Sequence, residues 1–147
     1  MLDDKDQKIL AELLEDGRKS VVEIADELQI PRATVQERLK KLVDSGVIRK
    51  FVAVPDYSKI GKPVAALVLV SFRSAENVSQ RGLAEEMSRI PEVYEVLVVS
   101  GEWDIMLKVR AESVEEIGTL VVDRLRMMNG IEKTQTCVVF QTVKEDI

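Results

Sequence analysis

Through the first third of the chain, apolar residues recur at helical spacing, and in the remainder they alternate in short runs, so helices come first and strands follow. Ile9, Leu10, Leu13 and Leu14 fall on one face of a helix that Asp3 can cap and that stops at Gly17. Ser20 and Glu23 have capping-box spacing, and Val21, Ile24, Ala25 and Leu28 share the face behind them. After Gln29 and Ile30, Pro31 suits the first turn of a third helix, where no backbone N–H is needed. Val35, Leu39 and Leu42 form the apolar stripe of that helix, and Gly46 ends it. Over 47–54 the pattern becomes β-like, with Arg49 and Lys50 between Ile48 and Phe51. Three short helices followed by a basic strand predict a winged helix-turn-helix.

The breakers Pro55-Asp56-Tyr57-Ser58 and Gly61-Lys62-Pro63 divide the chain into an N-terminal domain, 1–54, a linker, 55–63, and a second domain, 64–147. In the second domain, 64–72 reads as a nearly continuous apolar strand. Asn77 or Ser79 opens a helix carrying Leu83, Ala84, Met87 and Ile90, closed by Pro91. Residues 93–99 form a strand, Ser100 to Trp103 a tight connection, and Ile105, Leu107 and Val109 a strand of period two. Ser113 and Glu116 have capping-box spacing ahead of a helix lined by Ile117, Leu120, Val121, Leu125 and Met128. Asn129-Gly130 makes a turn into a long final strand, 131–143. The order β-α-β-β-α-β is the ferredoxin-like unit, and the fold class is α+β. Its two helices cover one sheet face; a second copy of the chain is the simplest cover for the other.

Composition narrows the chemistry. A chain 46% hydrophobic and 32% charged folds rather than stays disordered. No apolar run is long enough for a membrane span, and the acidic, polar start is unlike a secretory signal. The single cysteine, Cys137, cannot form an intrachain disulfide, which fits a reducing cytoplasm. The chain has no histidine, so imidazole zinc sites and Ser-His or Cys-His catalysis are not expected, and no metal or cofactor is implied. The net charge of −5 is unevenly spread. Residues 1–30 hold nine acids against four bases, whereas 31–50 hold six bases against Glu37 and Asp44. That local excess of positive charge is what a phosphate surface would meet.

Opposite the apolar stripe, the third helix presents Ala33, Thr34, Glu37, Lys40 and Lys41, with Gln36 and Arg32 at the margins. The N-terminal residues of a helix in a major groove meet base edges, so Arg32, Thr34, Gln36 and Glu37 are the candidates for base reading. Arg38, Lys40 and Lys41 are candidates for phosphate contacts, and Arg49 and Lys50 would form a small wing against the backbone. A charged outer face is more often simply solvated, and Glu37 with Lys41 is a good i,i+4 pair without DNA. The complete arrangement, rather than this helix alone, favours double-stranded DNA as the partner.

The sequence resembles the Lrp/AsnC, or feast/famine, family of prokaryotic transcription regulators over nearly its whole length. The resemblance lies in Leu2-Asp3-Asp4-Lys5-Asp6 with Ile9-Leu10, in Glu23-Ile24-Ala25, in Thr34-Val35 with Arg38-Leu39 and Leu42, and in Gly46-Val47-Ile48 with Gly61. It continues in Ser100-Gly101-Glu102-Trp103-Asp104 and in Asn129-Gly130-Ile131 followed by Thr134-Gln135-Thr136. The resemblance implies a C-terminal RAM-type αβ sandwich, homodimers that often assemble further into octamers, and a free amino acid as effector. Carried onto this chain, the effector positions are Ser100, Gly101, Glu102, Trp103, Asp104, Thr134 and Thr136. The chain departs from the pattern at Pro31, where many relatives carry a serine, and at Trp103, where a smaller aromatic is common. In physical terms, N–H groups around Gly101 suit a carboxylate, and Glu102 or Asp104 suits an ammonium. Equally, Gly101 serves a hairpin turn and Asp104 caps it.

The residues leave three functions open: a sequence-specific DNA-binding regulator, a ligand-sensing or interaction module without DNA, and an enzyme. For the last there is no Gly-rich loop, nucleophile motif or metal spacing, so the chain is read as a non-enzyme.

Overall fold

A computed structural model describes residues 1–145 and divides into two compact units, one spanning Met1–Val54 and the other beginning at Pro55. In the first, α1 (Asp4–Glu15), α2 (Val21–Leu28) and α3 (Arg32–Asp44) enclose Ile9, Leu13, Ile24, Ala25, Val35 and Leu42. The Ser20–Glu23 capping box forms as expected, and Asp3, expected only as a cap, makes a second box with Asp6. Asp3 and Asp6 exchange backbone and side-chain hydrogen bonds at α1, and Ser20 and Glu23 do so at α2. Between α2 and α3 the chain turns on Gln29, whose φ of 53° lies in the left-handed region. Gly46, at φ 76°, supplies the same conformation just beyond α3.

Two expectations for this unit fail. Leu14 is exposed, because the stripe of α1 runs through Asp6, Ile9 and Leu13 instead. The strand expected over 47–54 does not form. Ile48 donates its N–H to the Leu42 carbonyl at 2.9 Å, but residues 49–54 have no ladder partner within the described chain. A strand exists only by backbone pairing, and apolar composition alone does not supply it.

In the second unit, β1 (Val64–Phe72), β2 (Val93–Val98), β3 (Ile105–Ala111) and β4 (Ile131–Val138) form an antiparallel sheet in the order β2-β3-β1-β4. Helix α4 (Gln80–Ser88), capped by Ser79, links β1 to β2, and α5 (Val114–Thr119) follows β3. This is the ferredoxin-like connectivity. Ala66, Val68, Val70, Ile105, Leu107 and Val109 meet Leu83, Met87, Ile117, Leu120 and Leu125 in one core. By alternation, Leu67, Leu69, Met106 and Lys108 occupy the opposite sheet face and are half-buried.

Here too the structure corrects the pattern. The last strand stops at Val138, not 143, because its partner β1 begins at Val64 and only one further bond, Val139 N–H to the Ala65 carbonyl, can follow. Ser113 caps α5 as expected, but Glu116 reaches back to the Glu112 N–H at 2.6 Å rather than to Ser113. Beyond α5 the chain widens into a π turn, Leu120–Arg124, and then tightens into a 3₁₀ turn, Leu125–Met127. The five-residue step from Leu120 to Leu125 keeps both buried. The segment expected to be a linker is ordered on this unit: Tyr57 lies under Arg110 at 3.7 Å and edge-on to Tyr94 at 5.4 Å.

Candidate DNA interface and effector pocket

Helix α3 begins immediately after Pro31, which stands at the N-cap without any side-chain cap. Proline fixes its own backbone for a helix start but offers no acceptor, so the first-turn N–H groups of α3 are left uncapped. Arg32, Gln36, Glu37, Lys40 and Lys41 are exposed, while Thr34 is half-buried. The expected base-reading residues therefore share one helix end, with Thr34 set deeper than the rest.

The cations of α3 are not equivalent. Lys40 pairs with Asp44 one turn away, on the surface, and this contact raises its pKa. Such exposed pairs contribute little and are readily exchanged for another anion. Arg38 instead points back to the start of α1, where its guanidinium bonds Asp3 and lies 3.3 Å from Asp6. Asp6 is completely buried and also receives the Asp3 N–H at 3.2 Å and the Lys41 ammonium at 3.4 Å. Burial alone pushes the Asp6 carboxyl up, but the Asp3 N–H and Arg38 outweigh it and hold it below the ordinary carboxylate range. The Asp6 N–H, followed by Arg38, lowers Asp3 as well. In the sequence Asp6 stands only as one of the acids at the start of α1, although its place on the Ile9–Leu13 stripe signals an acid that must find partners inside.

Arg49 and Lys50 follow Ile48 on an exposed segment without strand structure rather than on the expected β wing. Neither has an ion pair among the described residues, nor does Arg32. Phe51, Val52 and Val54 beyond them are also exposed.

In the second unit, the effector residues separate. Trp103 and Thr134 line one cavity of about 600 Å³, together with Arg126, Ile131, Glu132, Lys133 and Gln135. Arg126 donates from Nε to the Thr134 hydroxyl at 3.3 Å. Ser100, Gly101 and Glu102 do not line this cavity, and Thr136, further along β4, does not either. Gly101 has φ 118°, so the turn itself demands glycine, and no neighbouring atom crowds it. Asp104 is structural in its contacts: its carboxylate accepts the Phe72 N–H at 2.7 Å, and its own N–H donates to the Val70 carbonyl at 3.0 Å. That bonding leaves Glu132, not Asp104, as the carboxylate lining the cavity. Arg126 also escapes the sequence pattern. A single cation between Leu125 and Met127 carries no signal, because its direction is set by the π and 3₁₀ turns before it.

Among the described residues, no group of three metal-ligating side chains is assembled, and no helix is long and apolar enough to cross a membrane. A helix-turn-helix with an exposed, partly basic third helix, joined to a ferredoxin-like domain with an open cavity, defines the class: a DNA-binding transcription regulator with a ligand-binding domain. Residues 2–49 match the winged helix-turn-helix DNA-binding family, and residues 65–147 match the Lrp/AsnC ligand binding domain. The chain is 44% identical over 147 residues to an HTH-type transcriptional regulator of Pyrococcus horikoshii, covering all of this chain and 98% of that one. Among solved structures it is similar to a transcriptional regulator of Neisseria meningitidis in complex with L-methionine. That likeness has a TM-score of 0.93 and 28% identity, over 99% of this chain and 94% of that one. An AsnC family regulator from Agrobacterium tumefaciens is similar at a TM-score of 0.91 and 25% identity, over 99% and 94%. The chain belongs to the Lrp/AsnC family of transcription regulators.

Proposed function

We propose that this regulator reads double-stranded DNA through the exposed N-terminal end of α3. Arg32, Thr34, Gln36 and Glu37 meet base edges, and Lys40, Lys41, Arg49 and Lys50 meet phosphates. The observation that carries this reading is the exposed, uncapped start of α3, with Arg32, Arg49 and Lys50 in the same unit making no ion pair among the described residues. Residues 1–54 form the DNA-binding domain, 55–63 the connection, and 64–147 a RAM-type sensing and oligomerisation domain. The protein acts in the cytoplasm, without an enzymatic step, as a homodimer that can assemble further, to an octamer. The half-buried Leu67, Leu69 and Met106 on the open sheet face favour a second copy as cover.

The effector in this reading is a small free amino acid in the Trp103–Thr134 cavity, its carboxylate facing Arg126 and its ammonium facing Glu132. The methionine complex of the Neisseria relative supports that class of ligand. Thermal unfolding against a panel of single amino acids tests it. At least one should raise the midpoint of the wild-type chain and leave Arg126→Gln unmoved; a panel without effect would remove the effector reading.

A further inference from the structure

We infer that Arg38 is a positioning residue rather than a phosphate ligand: Asp3 and Asp6 hold it inside the N-terminal unit, and through it they fix α3 for reading. This rests on α3 being the reading helix. Three observations carry it. The Asp6 side chain has no exposed surface, so an ionised carboxylate there must be matched from within. The groups that match it come from α3, Arg38 at 3.3 Å and Lys41 at 3.4 Å, and from the Asp3 N–H. Finally, the Arg38 side chain is only 26% exposed and bonds two carboxylates, whereas that of Lys41 is 56% exposed and has one more distant partner.

The geometry separates two kinds of cation within the N-terminal unit. Moving Arg38 to a phosphate would strand Asp6 as a poorly matched buried charge, so its guanidinium stays home when DNA arrives. Arg32, Arg49 and Lys50 leave nothing stranded and can displace counterions. Both contacts come from one guanidinium nitrogen, Nη1, whose two N–H bonds lie in the guanidinium plane, so the pairing fixes direction as well as distance. The pairing joins the first turn of α1 to the middle of α3, about two turns after the helix begins. It thus sets the angle at which Arg32 and Gln36 are presented.

Titration of the full chain onto one mixed-sequence duplex over a range of KCl concentrations separates the two roles. Each protein–phosphate pairing contributes about 0.9 to the slope of log K against log salt. Arg49→Gln and Lys50→Gln are each expected to flatten the slope by about that amount. Arg38→Gln is expected to weaken binding by roughly tenfold at every salt concentration while the slope stays at the wild-type value. A slope flattened by Arg38→Gln as much as by Lys50→Gln would overturn the inference, as would unchanged binding. If none of the three variants alters the slope, the assignment of the DNA surface itself fails. Should Arg38→Gln not fold, Asp3→Asn decides, since asparagine caps a helix as well as aspartate does. Weaker binding at constant slope supports the clasp; tighter binding with a steeper slope shows a freed phosphate ligand and overturns it.

Discussion

Leu42→Ala should strongly destabilise the N-terminal unit of this protein while leaving the second unit's stability unchanged. Leu42 is completely buried, within the cluster of six buried apolar residues that forms the N-terminal core. Truncation removes three carbons, about 2.4 kcal/mol of transfer energy at about 0.8 per carbon. The residual cavity adds to this, and such changes span about 2–5 kcal/mol. At roughly 0.05–0.15 kcal/mol per residue, a unit of this length is stable by only about 3–8 kcal/mol. One side chain therefore removes a large part of the total. The single tryptophan, Trp103, lies in the second unit and reports its unfolding by fluorescence, while far-UV ellipticity follows α1 to α3 as well. In urea, at fixed protein concentration, Leu42→Ala should shift an early loss of ellipticity and leave the Trp103 transition in place. Leu107→Ala, in the other core, should move the Trp103 transition. Equal shifts of both signals by Leu42→Ala, or a loss below about 1 kcal/mol, would refute the assignment of two separate cores.

Three other outcomes follow from local geometry. Asp3 and Asp6 titrate lower in the folded chain than the ordinary 3.8, so protons bind the unfolded state more readily. Their stabilisation is complete above that value and is lost as pH falls through the lower folded values. The urea midpoint of the N-terminal transition should drop on acidification, and a flat profile would contradict this. A Cβ at Gly130 would lie 2.9 Å from both Phe72 and Val78 at φ 93°, so Gly130→Ala should lower the melting temperature of the second unit. Gly118→Ala has open space and ordinary helical backbone, so it should stabilise by about 0.5–1 kcal/mol in the same assay.

Much of this architecture is legible in the residue pattern because short-range signals decide it. The Ser20–Glu23 box, Gly46 beyond α3 and the period-two run through Ile105, Leu107 and Val109 act within a few residues, and they place their elements correctly. What the pattern misreads depends on distant partners. Residues 47–54 have strand composition but no ladder, and β4 ends where β1 runs out. Leu14 reads as interior because an acid, Asp6, occupies the stripe position that apolar counting ignores. The same blindness affects the sites. Asp104 is taken up by the Phe72 N–H, and Arg38 by two carboxylates more than thirty residues away, neither of which spacing along the chain reveals.

If the exposed end of α3 reads sequence, enrichment of bound fragments from a random duplex pool will show it. The wild-type chain should enrich one motif, with half-sites separated by about 34 Å or a multiple of it. Gln36→Ala and Glu37→Ala should enrich a relaxed version of that motif while binding unselected duplex with unchanged affinity. If both variants enrich the same motif as the wild type, with the same stringency, α3 does not read the DNA.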